Sequence, residues 1–164
     1  MLHIIVAHDN KNGFARNKQI PWINEEWGKQ DLQRFKKLTD GCVVVMGTNT
    51  YDEIASLRPI KKELLPNRTS YVVTSNPDKS FPGAEAIPSL DALYELEPDA
   101  DIFVIGGERL YREAMRYCKS VFVTYIDRDY DCDQLFPTPI NNWQMWESSS
   151  IPLNDFVTFK HYFK

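Results

Sequence analysis

The hexapeptide Asp31-Leu32-Gln33-Arg34-Phe35-Lys36 sets one carboxylate inside an apolar pattern. Read as a helix, it places Asp31, Phe35 and Leu38 at i, i+4 and i+7, so an acid shares a face with an aromatic and an aliphatic side chain. Taking an ionised carboxylate out of water is unfavourable by several kcal/mol unless a partner or ligand answers it, and groups so placed concentrate at sites. Two readings stand. Asp31 is either an acid that meets a ligand, or an acid at the edge of the stripe that stays solvated or caps a neighbour.

Two further stretches carry chemistry of a different kind. Cys42-Val43-Val44-Val45-Met46 leads through Gly47-Thr48-Asn49-Thr50 into a short helix through Ile54, and Ile102-Phe103-Val104-Ile105 leads through Gly106-Gly107 into a helix from Glu108 to Tyr117. A strand, a glycine and a helix in that order leave backbone N–H groups free where an anion can approach. Two such junctions on one parallel sheet could face a ligand with two phosphates across a shared gap. Neither is a G-x-G-x-x-G nor a P-loop, and a glycine after a strand is also ordinary turn chemistry. Between them lies the basic, proline-punctuated connection Arg58-Pro59-Ile60-Lys61-Lys62 to Leu65-Pro66-Asn67-Arg68. Arginine can grip a carboxylate with two parallel hydrogen bonds, although most charged loops are simply solvated.

Other chemistries find no support. Cys42, Cys118 and Cys132 are odd in number and at no zinc spacing, as expected of buried or incidental thiols in a reducing compartment. His3, His8 and His161 form no ligand pair, so no metal is expected. A formal charge of -4 argues against a nucleic-acid surface, though local basic residues and helix ends still allow an anionic small ligand. No run approaches the roughly 20 apolar residues of a membrane span, and Met1-Leu2-His3-Ile4-Ile5-Val6-Ala7 lacks the charged start of a signal peptide. The expectation is a cytoplasmic protein that meets neither membrane nor nucleic acid.

The elements that position these residues follow from the pattern. The chain has 164 residues, 43% hydrophobic and 26% charged, which suits a single domain with a real core. Leu2 to His8 reads as a buried central strand, and Asp9 to Gly13 opens a long loop that ends at Ile20-Pro21-Trp22, of a length that often serves as a lid. The helix through Asp31 begins as early as Asn24, with Gly28 awkward in its first turn, and closes at Lys36, Lys37 and Gly41. Tyr71 to Ser75 is a strand, and Ser89 with Asp91 opens a helix that Pro98 ends. Val121 to Ile126 is a strand with Thr124 in it, and Asp127 to Pro139 is polar and aspartate-rich. Trp143 to Ser149 and Phe156 to Phe163 form an antiparallel pair joined by Ile151 to Asp155. The class is α/β, with a mostly parallel central sheet, flanking helices and an antiparallel C-terminal strand pair.

Taken in order, Ala7, Ile20-Pro21-Trp22, Asp31-Leu32-x-x-Phe35-Lys36, Met46-Gly47-x-x-Thr50, Leu65-Pro66-x-Arg68, Val104-Ile105-Gly106-Gly107-x-x-x-Tyr111, Thr124-x-Ile126-Asp127 and Phe136-Pro137 resemble dihydrofolate reductase over essentially the whole chain. The resemblance implies hydride transfer from NADPH to 7,8-dihydrofolate. It makes Asp31 the active-site acid that holds the pterin N3 and 2-amino group, Thr124 the residue that orients it, and Trp22 the indole that helps hold a water near N5. It implies a substrate pocket of Ile5, Val6, Ala7, Leu32, Phe35, Ile54, Leu65, Ile105 and Tyr111, with Arg68 on the glutamate α-carboxylate. For the cofactor it implies Ala7, Phe14, Ile20, Ile105, Leu110 and Tyr111 around the nicotinamide side. Gly47, Thr48, Asn49, Thr50, Gly106, Gly107, Glu108 and Arg109 would meet the phosphates, with Thr74 and Ser75 further along. It also implies a cis Gly106-Gly107 peptide bond and a monomer.

The chain departs from that pattern in places. Thr48 stands where a basic residue often meets the 2′-phosphate of NADPH, leaving Ser75 and Arg109 as candidates. Ala15 and Asn67 replace frequent glycines, Ile23 to Gln30 is longer than in the usual bacterial pattern, and Glu108 is an acid near the expected phosphates. A related reductase acting on a ribityl-phosphate pyrimidine, as in riboflavin synthesis, would share the fold but has no use for Asp31, Phe35 and Arg68 together. A non-catalytic module would have no reason to keep Asp31, Thr124 and Arg68.

Overall fold

The computed structural model describes residues 1–57, 59–137 and 145–164. The chain runs β1 (Leu2–Asp9), β2 (Gly13–Ala15), α1 (Glu26–Thr39), β3 (Val43–Met46), α2 (Thr48–Leu57), β4 (Thr69–Val73), β5 (Glu85–Ile87), α3 (Leu90–Leu96), β6 (Ile102–Val104), α4 (Glu108–Ala114), β7 (Ser120–Ile126), β8 (Gln134–Leu135), β9 (Trp146–Pro152) and β10 (Val157–Phe163). Eight strands form one sheet in the order β5-β4-β3-β6-β1-β7-β10-β9. The six from β5 to β7 are parallel, and β10 then pairs antiparallel with both β7 and β9.

Alternation along the strands divides the core into two layers. Leu2, Ile4, Val6, Val43 and Val45 pack against Leu90 and Leu93 of α3 and Leu110, Tyr111 and Ala114 of α4. Ile5, Val44, Met46, Val72 and Phe103 face the other way, toward Phe35 and Leu38 of α1 and Tyr51 and Ile54 of α2. Because both faces are covered, β3 reads Val-Val-Val-Met without a polar residue, as central parallel strands do. A third cluster joins Trp22 and Trp27 to Ile126 and Val157 beside Ala7 and Ile20.

The entry to α1 resolves the awkward glycine. The chain turns through Ile23 to Glu25, with Glu25 N donating to Trp22 O at 3.0 Å, and a Cβ on Gly28 would meet that same carbonyl at 2.8 Å. Glycine is needed there for close approach. The longer stretch after Trp22 is thus taken up by this turn and by the first turn of α1, and its Trp27 stacks on Trp22 at 6.2 Å. At the other end Gly41 has φ +72°, the left-handed closing conformation expected of it.

Several boundaries differ from the sequence reading. α4 stops at Ala114 instead of Tyr117, because Tyr117 N and Cys118 N both turn back onto Ala114 O and Lys119 N is drawn to Leu2 O of the sheet. β9 covers Trp146–Pro152 instead of Trp143 to Ser149, its register set by β10, where Thr158 faces Pro152 and Phe163 faces Trp146. Trp143, Pro139 and Arg58 lie outside the described residues. The short strands β2, β5 and β8 carry too few residues for periodicity to reveal them. β2 and β8 pair with each other and turn the supposed plain loop after β1 into an ordered wall.

Candidate active site

A cleft of about 450 Å³ opens beside the C-terminal ends of β1 and β7 and between α1 and α2, the usual location in parallel α/β sheets. β1 and β7 are paired with Ala7 opposite Thr124, so both side chains are delivered to this edge together. Ile5, Val6 and Ala7 of β1, and Ile105 just beyond β6, line the cleft. Phe14, Ile20 and Trp22 close one side from the loop between β1 and α1, while Leu32 and Phe35 line it from α1. Asn49, Thr50 and Ile54 of α2, Leu65 before β4 and Tyr111 of α4 complete the set that the sequence anticipates.

Asp31 faces this cleft from α1, and the Thr124 hydroxyl donates to its Oδ1 at 2.5 Å. Burial pushes the Asp31 carboxyl above the usual carboxylate range, while the Thr124 hydrogen bond and the nearby Arg34 charge pull the other way. Partly buried and held by the Thr124 hydroxyl, Asp31 faces the cleft more than the solvated edge of the stripe. Trp22, 2% exposed, stacks on Trp27 and meets Tyr130 edge-on at 5.2 Å, which fixes the loop that carries it. The Tyr111 hydroxyl donates to Ile5 O at 3.0 Å, and its ring meets Phe14 edge-on at 5.4 Å. Burial raises the Tyr111 phenol strongly, so it is a neutral donor and wall.

Arg68 is only 7% exposed and lines the same cleft. Its Nε donates to Pro66 O at 2.9 Å and one terminal nitrogen to Thr39 Oγ1 at 3.2 Å, while the guanidinium lies 5.8 Å over the Phe35 ring. The Thr39 hydroxyl in turn donates to Phe35 O, so the end of α1 holds the arginine. Asn67 carries φ +63°, a conformation that asparagine tolerates better than most residues, and its side chain donates to Asp40 Oδ1 at 2.7 Å. The replacement of a glycine by Asn67 thus keeps the turn that points Arg68 inward. Ala15 sits buried in β2 without a left-handed backbone, so no glycine is required there.

The two glycine junctions are neighbours. Gly47 N donates to Gly106 O at 2.8 Å, and the Gly106-Gly107 peptide bond is cis. Gly106 has φ +135°, and a Cβ on it would meet Thr50 Oγ1 at 2.7 Å. The first turns of α2 and α4 therefore leave backbone N–H groups side by side, as anion chemistry requires. Gly47, Thr48, Gly106, Gly107 and Glu108 lie at these junctions outside the cleft wall, as do Thr74 and Ser75 beyond β4. Arg109 and Ser75 are exposed. Glu108 turns to Arg112 at 3.3 Å, which removes the conflict expected from its charge. Leu110 packs in the core behind Tyr111 and reaches the site only through it.

Several cleft residues went unrecognised in the sequence, among them Lys18, Leu57, Gln134, Glu53 and Arg34. Glu53 follows Thr50 by three and precedes Ile54, so the helical face of α2 already implied it. Its carboxyl is pushed up to about 7 by burial, against a backbone hydrogen bond from Ile20, and its Oε1 is buried without a hydrogen-bond partner. Arg34 follows Asp31 by three on α1 and also lines the cleft. Among the described residues no cluster of His, Cys, Asp and Glu could hold a metal, and no helix is long and apolar enough to cross a membrane.

Comparison with known proteins agrees with this geometry. The family model described as dihydrofolate reductase matches residues 1–164. The dihydrofolate reductase type 3 of Salmonella typhimurium is 36% identical over 157 residues, covering 94% of this chain and 90% of that protein. The dihydrofolate reductase of Bacillus subtilis is 34% identical over 150 residues, 90% of this chain and 83% of the relative. Among solved structures, a dihydrofolate reductase from Enterococcus faecalis complexed with NADP(H) and RAB-propyl superposes with a TM-score of 0.85 over 99% of this chain and 95% of its own, at 24% identity, a likeness of fold. With a match that runs from the first residue to the last and relatives above 30% identity over nearly their full length, this chain belongs to the dihydrofolate reductase family.

Proposed function

We propose that the chain reduces 7,8-dihydrofolate to 5,6,7,8-tetrahydrofolate with NADPH. The observation that carries this reading is the desolvated Asp31 carboxyl, oriented by Thr124 inside an apolar cleft that also contains Arg68. Such a cleft matches a ligand with a flat donor-bearing ring at one end and an anion at the other.

Asp31 uses one lone pair of Oδ1 for the Thr124 hydroxyl, and its remaining lone pairs accept from the pterin N3–H and 2-amino group. This fixes the ring in the plane that presents C6 to the nicotinamide side. Ionised Asp31 also stabilises the positive charge that develops when N5 takes a proton. The proton comes through a water held beside the Trp22 indole, since no carboxyl of the chain is assigned to reach N5. Phe35, Leu32, Ile54 and Leu65 exclude solvent from the pterin and aminobenzoyl rings, and Arg68 binds the glutamate α-carboxylate.

The residues also fit the cofactor. The N–H ends at Thr48 to Thr50 and Gly106 to Arg109 suit a pyrophosphate, with Gly47 N holding the two junctions together through Gly106 O, Thr74 and Ser75 lie on the adenosine side, and Ala7, Phe14, Ile20, Ile105 and Tyr111 suit the nicotinamide. When bound, NADPH supplies the hydride for C6, so that with one proton at N5 the C6–N5 double bond becomes single and NADP⁺ remains.

The test is the loss of nicotinamide absorbance when the purified protein meets dihydrofolate with NADPH, and separately with NADH. Oxidation that depends on dihydrofolate and yields tetrahydrofolate supports the reading. Folded protein that oxidises neither cofactor overturns it.

A further inference from the structure

The guanidinium of Arg34 turns from α1 into the sheet. Its Nη1 donates to Val123 O at 3.2 Å and to Thr124 Oγ1 at 3.4 Å, and its Nη2 donates to Lys160 O at 3.2 Å. The guanidinium carbon stands 4.5 Å over the Phe159 ring. Arg34 thus ties α1 to β7 and β10 at the step where Thr124 points to Asp31.

A hydroxyl has one proton to give and two lone pairs to receive with. With a cationic donor on a lone pair of Thr124, its proton is turned away from Arg34 and is given to Asp31 Oδ1. The order of donation is therefore Arg34 to Thr124 to Asp31, with a positive charge at the start and an acid at the end. We propose that Arg34 is a positioning residue for the reaction: it orients the Thr124 hydroxyl toward Asp31 and supplies the positive charge that offsets the carboxylate before substrate arrives. This inference rests on the reductase reading of the site.

Arg34 is one of the influences that favour ionised Asp31, and Asp31 in turn favours the charge on the half-buried guanidinium. Thr124 comes from β7, and the charged side chains that line the same cleft are Glu53 from α2, Lys36 from α1, Arg68 from the turn before β4 and Lys18 from the loop after β2; none of these cations acts on the Asp31 carboxyl as Arg34 does. His161 comes from β10 and is held below the usual histidine range first by burial and then by the Arg34 charge. The Lys160 ammonium lies over the Tyr125 ring and 3.7 Å from Glu147, engaged away from the acid. Arg34 is thus the cation that acts on Asp31 at close range. The same charge opposes the positive charge that develops on the pterin, so it holds the acid ionised at the expense of making N5 slightly harder to protonate.

The experiment follows the Asp31 carboxyl resonance against pH in ligand-free protein carrying labelled aspartate, with Asp31→Asn identifying the signal. Arg34→Met keeps the stem and removes charge and donors, and should raise the Asp31 midpoint by about one pH unit. Arg34→Lys restores charge without the planar fork and should return the midpoint at least halfway to that of the parent protein. In turnover, Arg34→Met should move both limbs of the pH profile to higher pH by about one unit, the acid limb because Asp31 loses the nearby charge and the basic limb because the protonated pterin no longer meets it. A merely structural arginine would lower activity without displacing either limb. An unmoved midpoint in folded Arg34→Met overturns the proposal. Should Arg34→Met fail to fold, Arg34→Gln, which keeps donors and removes the charge, decides: a raised Asp31 midpoint supports the role, and an unmoved midpoint overturns it. The resonance is read without substrate, so absent turnover in the parent protein would fail the functional reading while leaving the coupling of Arg34 to Asp31 to be judged by titration.

Discussion

Thr124 Oγ1 donates to Asp31 Oδ1 at 2.5 Å across 93 residues of sequence, joining the second turn of α1 to the C-terminal half of β7. Burial raises the Asp31 carboxyl above its usual range, and the threonine hydrogen bond, with the Arg34 charge, leans it back toward the ionised form that the proposed reaction uses. Function and stability pull this residue in opposite directions.

Asp31→Asn should keep the fold and NADPH binding while lowering turnover of dihydrofolate about a hundredfold or more at neutral pH, since the amide cannot stabilise a protonated pterin. Its stability should move the other way. A carboxyl raised above its unfolded value of 3.8 stabilises the fold fully below that value and loses the contribution as pH rises through the folded value. The amide has no such loss, so the variant should melt above the parent at neutral and alkaline pH and lose that advantage below 3.8, where the Asp31 carboxyl is protonated in folded and unfolded chains alike. Thermal melts across pH with initial rates on the same samples check both halves, and near-parental turnover would remove the role given to Asp31.

Arg68→Leu should act mainly on binding. Loss of a charge-assisted pair is worth about 1.5–3 kcal/mol, so KM for dihydrofolate should rise roughly ten- to a hundredfold with kcat little changed. A pterin without the glutamate tail should not sense the substitution. Arg68 also donates to Pro66 O and Thr39 Oγ1, so the variant should melt at a lower temperature than the parent. Equal loss with both substrates would show that Arg68 supports the wall instead of the ligand.

How much of this could be read beforehand depended on whether a residue announced itself through periodicity. Val43 to Met46 and Leu2 to His8 were legible as short continuous apolar runs of strand length, and the helix through Asp31 because an amphipathic helix repeats at 3.6 residues. That the two glycine junctions could share a ligand was suggested by their order alone, and the structure brings them into contact through Gly47 N and Gly106 O. What escaped was tertiary. Glu53 and Arg34 sit at readable helical positions, but only packing tells whether a charged side chain at the margin of an apolar face turns into a cleft or out to water. β2 and β8 owe their existence to each other, and neither holds enough residues to show a pattern. Gly28 reads as a defect in a helix until the Trp22 carbonyl is seen against it.

Glu53 offers a second acid test of the cleft. Its carboxyl, pushed up to about 7 from 4.5, stabilises the fold below 4.5 and ceases to do so as pH rises through about 7. Glu53→Gln should abolish that decline. Discounted for its solvent contact, the gain above pH 7 is about 1 kcal/mol, or roughly 2–4 °C in Tm for a chain of this size. Below pH 4.5 the two proteins should melt together. A constant difference across the whole range would mean that the carboxyl is solvated and unperturbed.

Gly106→Ala should be poorly tolerated for two separable reasons. The backbone at φ +135° disfavours any side chain, and the new Cβ would stand 2.7 Å from Thr50 Oγ1. The expected cost is about 1–3 kcal/mol, with weaker NADPH binding because the N–H ends of α2 and α4 would be pushed apart. Adding Thr50→Ala should recover the steric part and leave the backbone part, so the double variant should fall between parent and single variant in Tm. Full recovery would assign the whole effect to the contact with Thr50.

Thr48 begins α2, where the helix presents its positive end and where the family often supplies a basic side chain. Thr48→Arg adds a guanidinium able to grip a phosphate with parallel hydrogen bonds, so it should favour NADPH over NADH by about tenfold or more in the ratio of kcat/KM. A cation at a helix N-terminus is unfavourable by about 0.3–1 kcal/mol, so the same variant should lose a little stability alone. That loss should vanish on addition of NADPH and persist with NADH, since only the former brings the 2′-phosphate to the new charge. If the cofactor ratio stays at the parental value, the phosphate is met elsewhere. Charge removal at Arg109, exposed on the first turn of α4, should then lower the ratio where Thr48→Arg failed to raise it.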